Sequence, residues 1–457
     1  MRHDCHVIDR AGVAFFPESG KLYAVPPEAA GRLRAWLADA GPLPAEAEAM
    51  MQAEAKAAGE RAPLPATGGD GGGVTSLCLY TTHDCNLACT YCYNQRGRAV
   101  APFVMMSIET AKAAIDRFFR KPGVPYAAAL YGGEPLLNVG LIKPLAEYVE
   151  RLRQERDIRI SLSATTNGTV MNRELLSLLD RHFSSVTVSL DGAGPINDLH
   201  RRYEKAGGAS AHDKTVATIR LLKEKTGLRV TVKGTLTAQG LPRYRDSIAY
   251  LRGLGADGIA LDPAFGPQDA DWALSDAAFE EYAAIQAADA ASDLADLDET
   301  LRPWQEYTFQ IVAGLLTKRR LLRHCNIGRD LAVMADGSVY ACHGLAGLPA
   351  FRMGRVDEPD SSEFHRLHSD FVALDVRSVD GCDTCWARYL CGGGCYANAW
   401  FKTGTVRRCD SRHCTLFKGV AENVIAAFVS TMAKPERAQV LLRKMRGMIG
   451  AAPKPHV

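Results

Sequence analysis

Cys85, Cys89 and Cys92 stand in the run Cys85-Asn86-Leu87-Ala88-Cys89-Thr90-Tyr91-Cys92-Tyr93, a C-x3-C-x2-C spacing. Three thiolates so close on one loop can hold three irons of a 4Fe–4S cube and leave the fourth iron open to a small molecule. Zinc usually takes four closed ligands or a set with histidine. The alternative is three unconnected thiols on a buried loop. Gly132-Gly133-Glu134-Pro135 offers a different chemistry. Two glycines let backbone approach a ligand closely, and the carboxylate can accept hydrogen bonds from an ammonium. Taken alone, that run also fits an ordinary strand-to-helix turn. Thr166-Asn167-Gly168 and Ser189-Leu190-Asp191-Gly192 add small polar side chains, although Asp191-Gly192 also reads as turn chemistry. Arg201 could pair with a ligand carboxylate or be a solvated surface arginine.

The elements that must carry these residues alternate in type. Candidate strands are Ser76–Tyr80, Ala127–Tyr131, Ile158–Ala164, Ser185–Leu190, Arg229–Leu236 and Gly258–Leu261. Amphipathic segments such as Ser107–Arg120, Leu141–Arg156 and Lys214–Thr226 lie between them. Repeated βα order implies a parallel sheet. The cysteine loop follows the first strand, the glycine turn the second, Asn167 the third and Ser189 the fourth. All four therefore fall at the C-terminal ends of the strands, where parallel barrels place their sites.

The cysteine triad with Tyr91 before its last member resembles the signature of the radical S-adenosylmethionine enzymes. The resemblance implies a partial (β/α)6 TIM-like barrel over 74–275. It implies that the open iron chelates the amino and carboxylate groups of S-adenosylmethionine, with Tyr91 beside the adenine. Gly132, Gly133 and Glu134 would take the methionine amino group. Asn167, Ser189 and Asp191 would meet the ribose hydroxyls and the methionine carboxylate.

Eight further cysteines lie between residues 325 and 414. Cys342 ends a G-x4-C run, and Cys382, Cys385, Cys391 and Cys395 form a C-x2-C-x5-C-x3-C block. The pattern resembles the SPASM domain, which holds two auxiliary 4Fe–4S clusters, making three clusters in all. By that resemblance Cys325, Cys342 and Cys395 serve the first auxiliary cluster. Cys382, Cys385, Cys391 and either Cys414 or Cys409 serve the second, Cys414 being preferred because it starts the closing helix. Cys409 is then spare or completes the first cluster. Paired structural zinc sites are the competing reading. Cys5 and Cys78 have no partner at motif spacing, and His83 and His343 read as packing or supporting residues.

At 457 residues the chain suggests several domains. The expected boundaries are 1–42, a linker 43–73, the barrel 74–275, a helical connection 276–322, the auxiliary-cluster domain with its closing helix 323–434, and a basic tail 435–457. Val13–Phe16, a turn at Glu18-Ser19-Gly20, Lys21–Val25 and a helix Ala29–Ala40 make up the first module. It resembles the PqqD-like element, a small winged-helix-like module that binds leader peptides by adding a strand to a sheet edge. With 54 basic and 52 acidic side chains, nothing points to nucleic acid or an anionic membrane. No long apolar run predicts a membrane span, and no signal-peptide core opens the chain, so a cytoplasmic location is expected.

The resemblances imply an enzyme that modifies a ribosomally made peptide or protein by hydrogen abstraction with the 5′-deoxyadenosyl radical. The expected product is a thioether crosslink from substrate cysteines. Carbon–carbon crosslinking and formylglycine formation are the alternatives. Expected partners are the precursor peptide or protein and an electron donor such as flavodoxin or ferredoxin. A non-enzymatic zinc or iron–sulfur scaffold is the reading from another class.

Overall fold

The computed structural model describes residues 5–60, 73–94, 104–205, 209–264, 270–295 and 306–451. Near the N-terminus, β1 (His6–Ile8), β2 (Val13–Phe16) and β3 (Lys21–Ala24) form an antiparallel sheet in that order. The helices Pro27–Leu37 and Ala45–Glu60 follow. Pro27 suits a first helical turn, where its missing N–H leaves nothing unsatisfied. The glycine run Gly68–Gly73 lies, except for Gly73, outside the described residues.

The six expected strands are present as β4 (Ser76–Thr82), β5 (Pro125–Gly132), β6 (Arg159–Thr166), β7 (Ser185–Ser189), β8 (Arg229–Leu236) and β9 (Gly258–Pro263). Each is parallel to its neighbours, in sequential order. Alternation sorts the side chains onto two faces. Leu77, Leu79, Ala128, Leu130, Leu162, Val186, Val188, Val230 and Val232 are all buried on one face, the face covered by the connecting helices. The opposite face carries Tyr80, Tyr131, Ser163, Ser189 and Lys233, so small or polar groups line the inside. The helices Ile108–Phe118, Arg173–His182 and Ala211–Lys225 start at Ser107, Asn172 and Ser210, whose side chains accept the amide hydrogens of Thr110, Leu175 and Asp213.

Three strands were not foreseen on this sheet. β10 (Asp330–Val333) pairs parallel to β4, with Ala332 opposite Cys78. β11 (Ser338–Tyr340) and β12 (Arg352–Arg355) continue outward as an antiparallel meander. The sheet therefore has nine strands in the order β12-β11-β10-β4-β5-β6-β7-β8-β9. They are short, and β10, which joins them to the sheet, pairs with a strand some 250 positions away, so local patterning could not reveal them.

The chain divides into two units, one of residues 68–275 and 326–373, the other of 1–67, 276–325 and 374–457. The first is the barrel sheet. The second combines the N-terminal sheet with the helices Asp276–Ala295, Glu306–Thr317, Ser411–Met432 and Pro435–Ala451. Residues 435–451, read from sequence as part of a basic tail, are helical and bury Leu441 and Met445. Among the described residues no helix is long and apolar enough to cross a membrane.

Candidate active site and cysteine centres

Glycine decides how the first site is assembled. A Cβ on Gly133 would lie 2.1 Å from the Asp84 carbonyl oxygen, and one on Gly132 would lie 2.2 Å from that of Thr82. Gly132 also holds φ +124, a conformation other residues rarely adopt. The end of β5 can thus lie directly on the backbone that enters the cysteine loop. Gly133 N donates to Thr82 O at 3.0 Å, and Glu134 N to Asp84 O at 2.8 Å.

The Glu134 side chain is fully buried. Its carboxylate accepts from Thr166 Oγ1 at 2.7 Å, Asn167 N at 2.7 Å and Leu136 N at 3.0 Å. Burial still outweighs these three donors and raises its pKa to about 7. Asn167 in turn donates to Asn86 Oδ1 at 2.9 Å and reaches Cys85 Sγ at 3.7 Å. The loop is also held from the far side. Ala88 N bonds to Arg202 O, Glu204 N to Asn86 O, and Thr90 Oγ1 to His200 Nδ1.

Tyr91 and Asp191 come together. The Tyr91 hydroxyl donates to the Asp191 carboxylate, which also accepts from Thr235 N at 2.8 Å. Arg201 Nη1 donates to the Tyr91 oxygen at 3.0 Å and lies 3.9 Å from Asp191. Arg201 is buried rather than solvated, a place its sequence position did not reveal. Cys85, Cys89 and Cys92 pack in one cluster with Leu87, Tyr91, Tyr203 and Trp272. Burial pushes the Cys85 thiol up to about 12 and Cys89 to about 11, the nearby Arg201 opposing the latter. Ligation to a metal must therefore displace protons. Ser189 ends β7 on the same rim.

In the other unit Cys382, Cys385, Cys391 and Cys414 line one cavity with Arg388, His413 and Lys418. Gly392, Gly393 and Gly394 are all left-handed, and the amides of Gly393 and Gly394 donate to the Cys391 sulfur. His413 Nε2 lies 3.3 Å from Cys391 Sγ. Burial, and then His324 nearby, hold that imidazole down at about 4. Cys409 does not line the cavity but is within hydrogen-bonding reach of Cys382 and Cys414. Cys325 and Cys395 belong to this unit too, with Tyr396 beside Cys325. Cys342 belongs to the barrel unit, where Gly344 N donates to its sulfur at 3.3 Å and Cys78 is a neighbour. His83 is buried, and the His343 ring lies 5.7 Å from that of Tyr131. Among the described residues no three His, Cys, Asp or Glu side chains converge as on a single ion.

A Radical SAM superfamily profile matches residues 79–247. A cysteine-type anaerobic sulfatase-maturating enzyme of Clostridium novyi is 24% identical over 370 residues, covering 77% of this chain and 96% of that one. The solved structure of native anSMEcpe with bound AdoMet superposes with a TM-score of 0.65 at 20% identity, over 81% of this chain and 99% of that one. The same protein with AdoMet and Kp18Cys peptide gives 0.64 at 19% identity, over 81% and 99%. This chain carries a radical SAM domain on a partial-barrel fold. It is an enzyme with a radical SAM domain over residues 79–247, similar in sequence and fold to the anaerobic sulfatase-maturating enzymes.

Gly132→Ala should lower the unfolding free energy by about 2–4 kcal/mol, the sum of a left-handed alanine and a backbone clash. Thermal or denaturant unfolding checks this, and a loss below about 0.5 kcal/mol would contradict the close approach.

Proposed function

We propose that this enzyme binds S-adenosylmethionine at the barrel rim and oxidises a cysteine or serine side chain of a peptide or protein to formylglycine. The observation that carries the cofactor part is the convergence of the Cys85–Cys92 loop with Gly132–Glu134, Asn167 and Ser189 at neighbouring strand ends. Similarity to sulfatase-maturating enzymes over most of both chains supports the substrate part. A 4Fe–4S cluster on Cys85, Cys89 and Cys92, with S-adenosylmethionine, supplies a carbon radical that removes a substrate hydrogen.

The remaining work falls to the protein. Glu134 receives the N–H of the methionine amino group, and the buried Arg201 faces its carboxylate, with Ser189 beside it. Asp191 is occupied by Tyr91, Arg201 and Thr235, so its role is to hold the Tyr91 ring against the adenine rather than to grip the ribose. Cys382, Cys385, Cys391 and Cys414 would hold an auxiliary cluster, whose chemistry there would be to accept the second electron of the oxidation. Cys409 supports that set from outside the cavity.

Thioether crosslinking stays as the second reading, because both reactions start at a substrate cysteine or its partner carbon. The two separate on one assay. A reconstituted, reduced enzyme is given peptides with a single cysteine or serine and analysed by mass spectrometry. Formylglycine formed from cysteine has lost the sulfur as sulfide, that formed from serine has lost only two hydrogens, and either aldehyde is trapped by a hydrazide. A thioether keeps the sulfur and gives no trapped product. Crosslinked peptide without aldehyde would overturn the formylglycine reading.

Glu134 makes cofactor binding depend on pH. Its folded pKa lies above the ordinary 4.5. In the cofactor-free protein its contribution to stability is therefore present below about 4.5 and lost as pH rises through about 7. A bound amino group that donates to the carboxylate favours the ionised form, so binding expels the proton. Affinity for S-adenosylmethionine should fall by up to about tenfold per pH unit below 7 and level off above it. Glu134→Gln should remove that dependence and weaken binding by about 1.5–3 kcal/mol. Identical pH profiles for the two proteins would refute the role.

A further inference from the structure

The turn between β2 and β3 reaches Arg388, which lines the cysteine cavity. Glu18 Oε1 accepts from Arg388 Nη2 at 2.8 Å, and Oε2 accepts from Arg320 Nη1 at 3.3 Å. Arg388 is 5% exposed, lines the cysteine cavity, and donates from Nη1 to the Cys385 carbonyl at 3.0 Å. Gly20 makes the approach possible. It holds φ +63, and a Cβ there would sit 3.4 Å from Lys318 Cα.

The same sheet holds Trp386, which follows Cys385. The His6 ring stacks on Trp386 at 4.0 Å and 1°, and Phe15 meets Trp386 edge-on at 6.2 Å. His6 Nε2 also bonds Glu422 Oε1 at 2.9 Å, and Arg10 reaches Asn423 Oδ1 at 2.5 Å. Both partners lie on the helix Ser411–Met432, which carries Cys414. Two separate parts of the cavity wall, the Cys385–Arg388 segment and the closing helix, are thus tied to β1, β2 and the turn after β2.

A buried guanidinium without a counter-charge is costly. Beside an iron–sulfur cluster it also matters electrically, because net local charge sets the reduction potential. A cation favours the added electron, and a carboxylate paired to that cation opposes it. Glu18 is therefore placed to cancel much of what Arg388 would do.

We propose that the N-terminal sheet braces the wall of the auxiliary cysteine cavity from outside, and that the Glu18 carboxylate tunes the cluster there by neutralising Arg388. This rests on the reading that Cys382, Cys385, Cys391 and Cys414 hold an iron–sulfur cluster. Glu18 is a positioning residue; it touches neither substrate nor cofactor.

The test compares full-length, anaerobically reconstituted wild type with E18Q and E18D. Iron and sulfide are counted, and the auxiliary cluster is titrated by EPR against potential. The first cluster is recognised by its spectral response to S-adenosylmethionine. E18Q should titrate at a more positive potential, since a negative charge near the cluster is gone. E18D keeps the charge and should titrate near wild type. Selective loss of auxiliary iron from E18Q, with the first cluster retained, also supports the bracing. An unmoved potential in E18Q, an equal shift in E18D, or iron lost equally from both sites would overturn the inference. Wild-type protein without auxiliary iron would overturn the cluster reading beneath it; iron present with an unmoved potential overturns this inference alone.

Discussion

The end of β5 lies against the entry of the cysteine loop at distances that no side chain tolerates. Gly132 and Gly133 permit that contact, and two backbone hydrogen bonds from Gly133 and Glu134 to Thr82 and Asp84 hold it. From there the other rim groups take their places. Glu134 turns inward onto Thr166 and Asn167, and Asn167 reaches back to Asn86 and Cys85. The loop's opposite side is pinned by residues 200–204 and by the Tyr91–Asp191–Arg201 group. Three successive strand ends therefore present their polar groups to one set of thiols, and none of these groups rests on a long mobile side chain.

Burial gives this arrangement its chemistry. The same desolvation that raises Glu134 also raises Cys85 and Cys89. A carboxyl near neutrality and two reluctant thiols are unfavourable as ions without a ligand. As ions they would be favoured by a hydrogen-bond donor at the carboxylate and a metal at the thiolates.

Much of the barrel was legible because each strand is a short apolar run with regular alternation, bounded by turn residues. Ser76, Ser185, Arg229 and Gly258 begin their strands where the pattern places them. The cysteine loop and glycine turn were legible because their spacing is local. What was not legible is set by contacts distant in sequence. β10, β11 and β12 have too few residues to show a period, and β10 takes its place from pairing with β4. Arg201 reads as a surface arginine until the Cys89–Cys92 segment is laid over it. Glu18 reads as a turn residue, yet its partner is 370 positions away. The N-terminal sheet looked separable because of the linker composition, whereas its packing partners are Trp386, Arg388 and Glu422.

The central claim is that Cys85, Cys89 and Cys92 make the site at which S-adenosylmethionine is cleaved. The most direct measurement is the yield of 5′-deoxyadenosine from reduced, anaerobically reconstituted protein, without any peptide substrate. Wild type should produce it. The triple alanine variant at Cys85, Cys89 and Cys92 should produce none while keeping iron at the C-terminal cysteines. Deoxyadenosine formed by the triple variant at the wild-type rate would contradict the account.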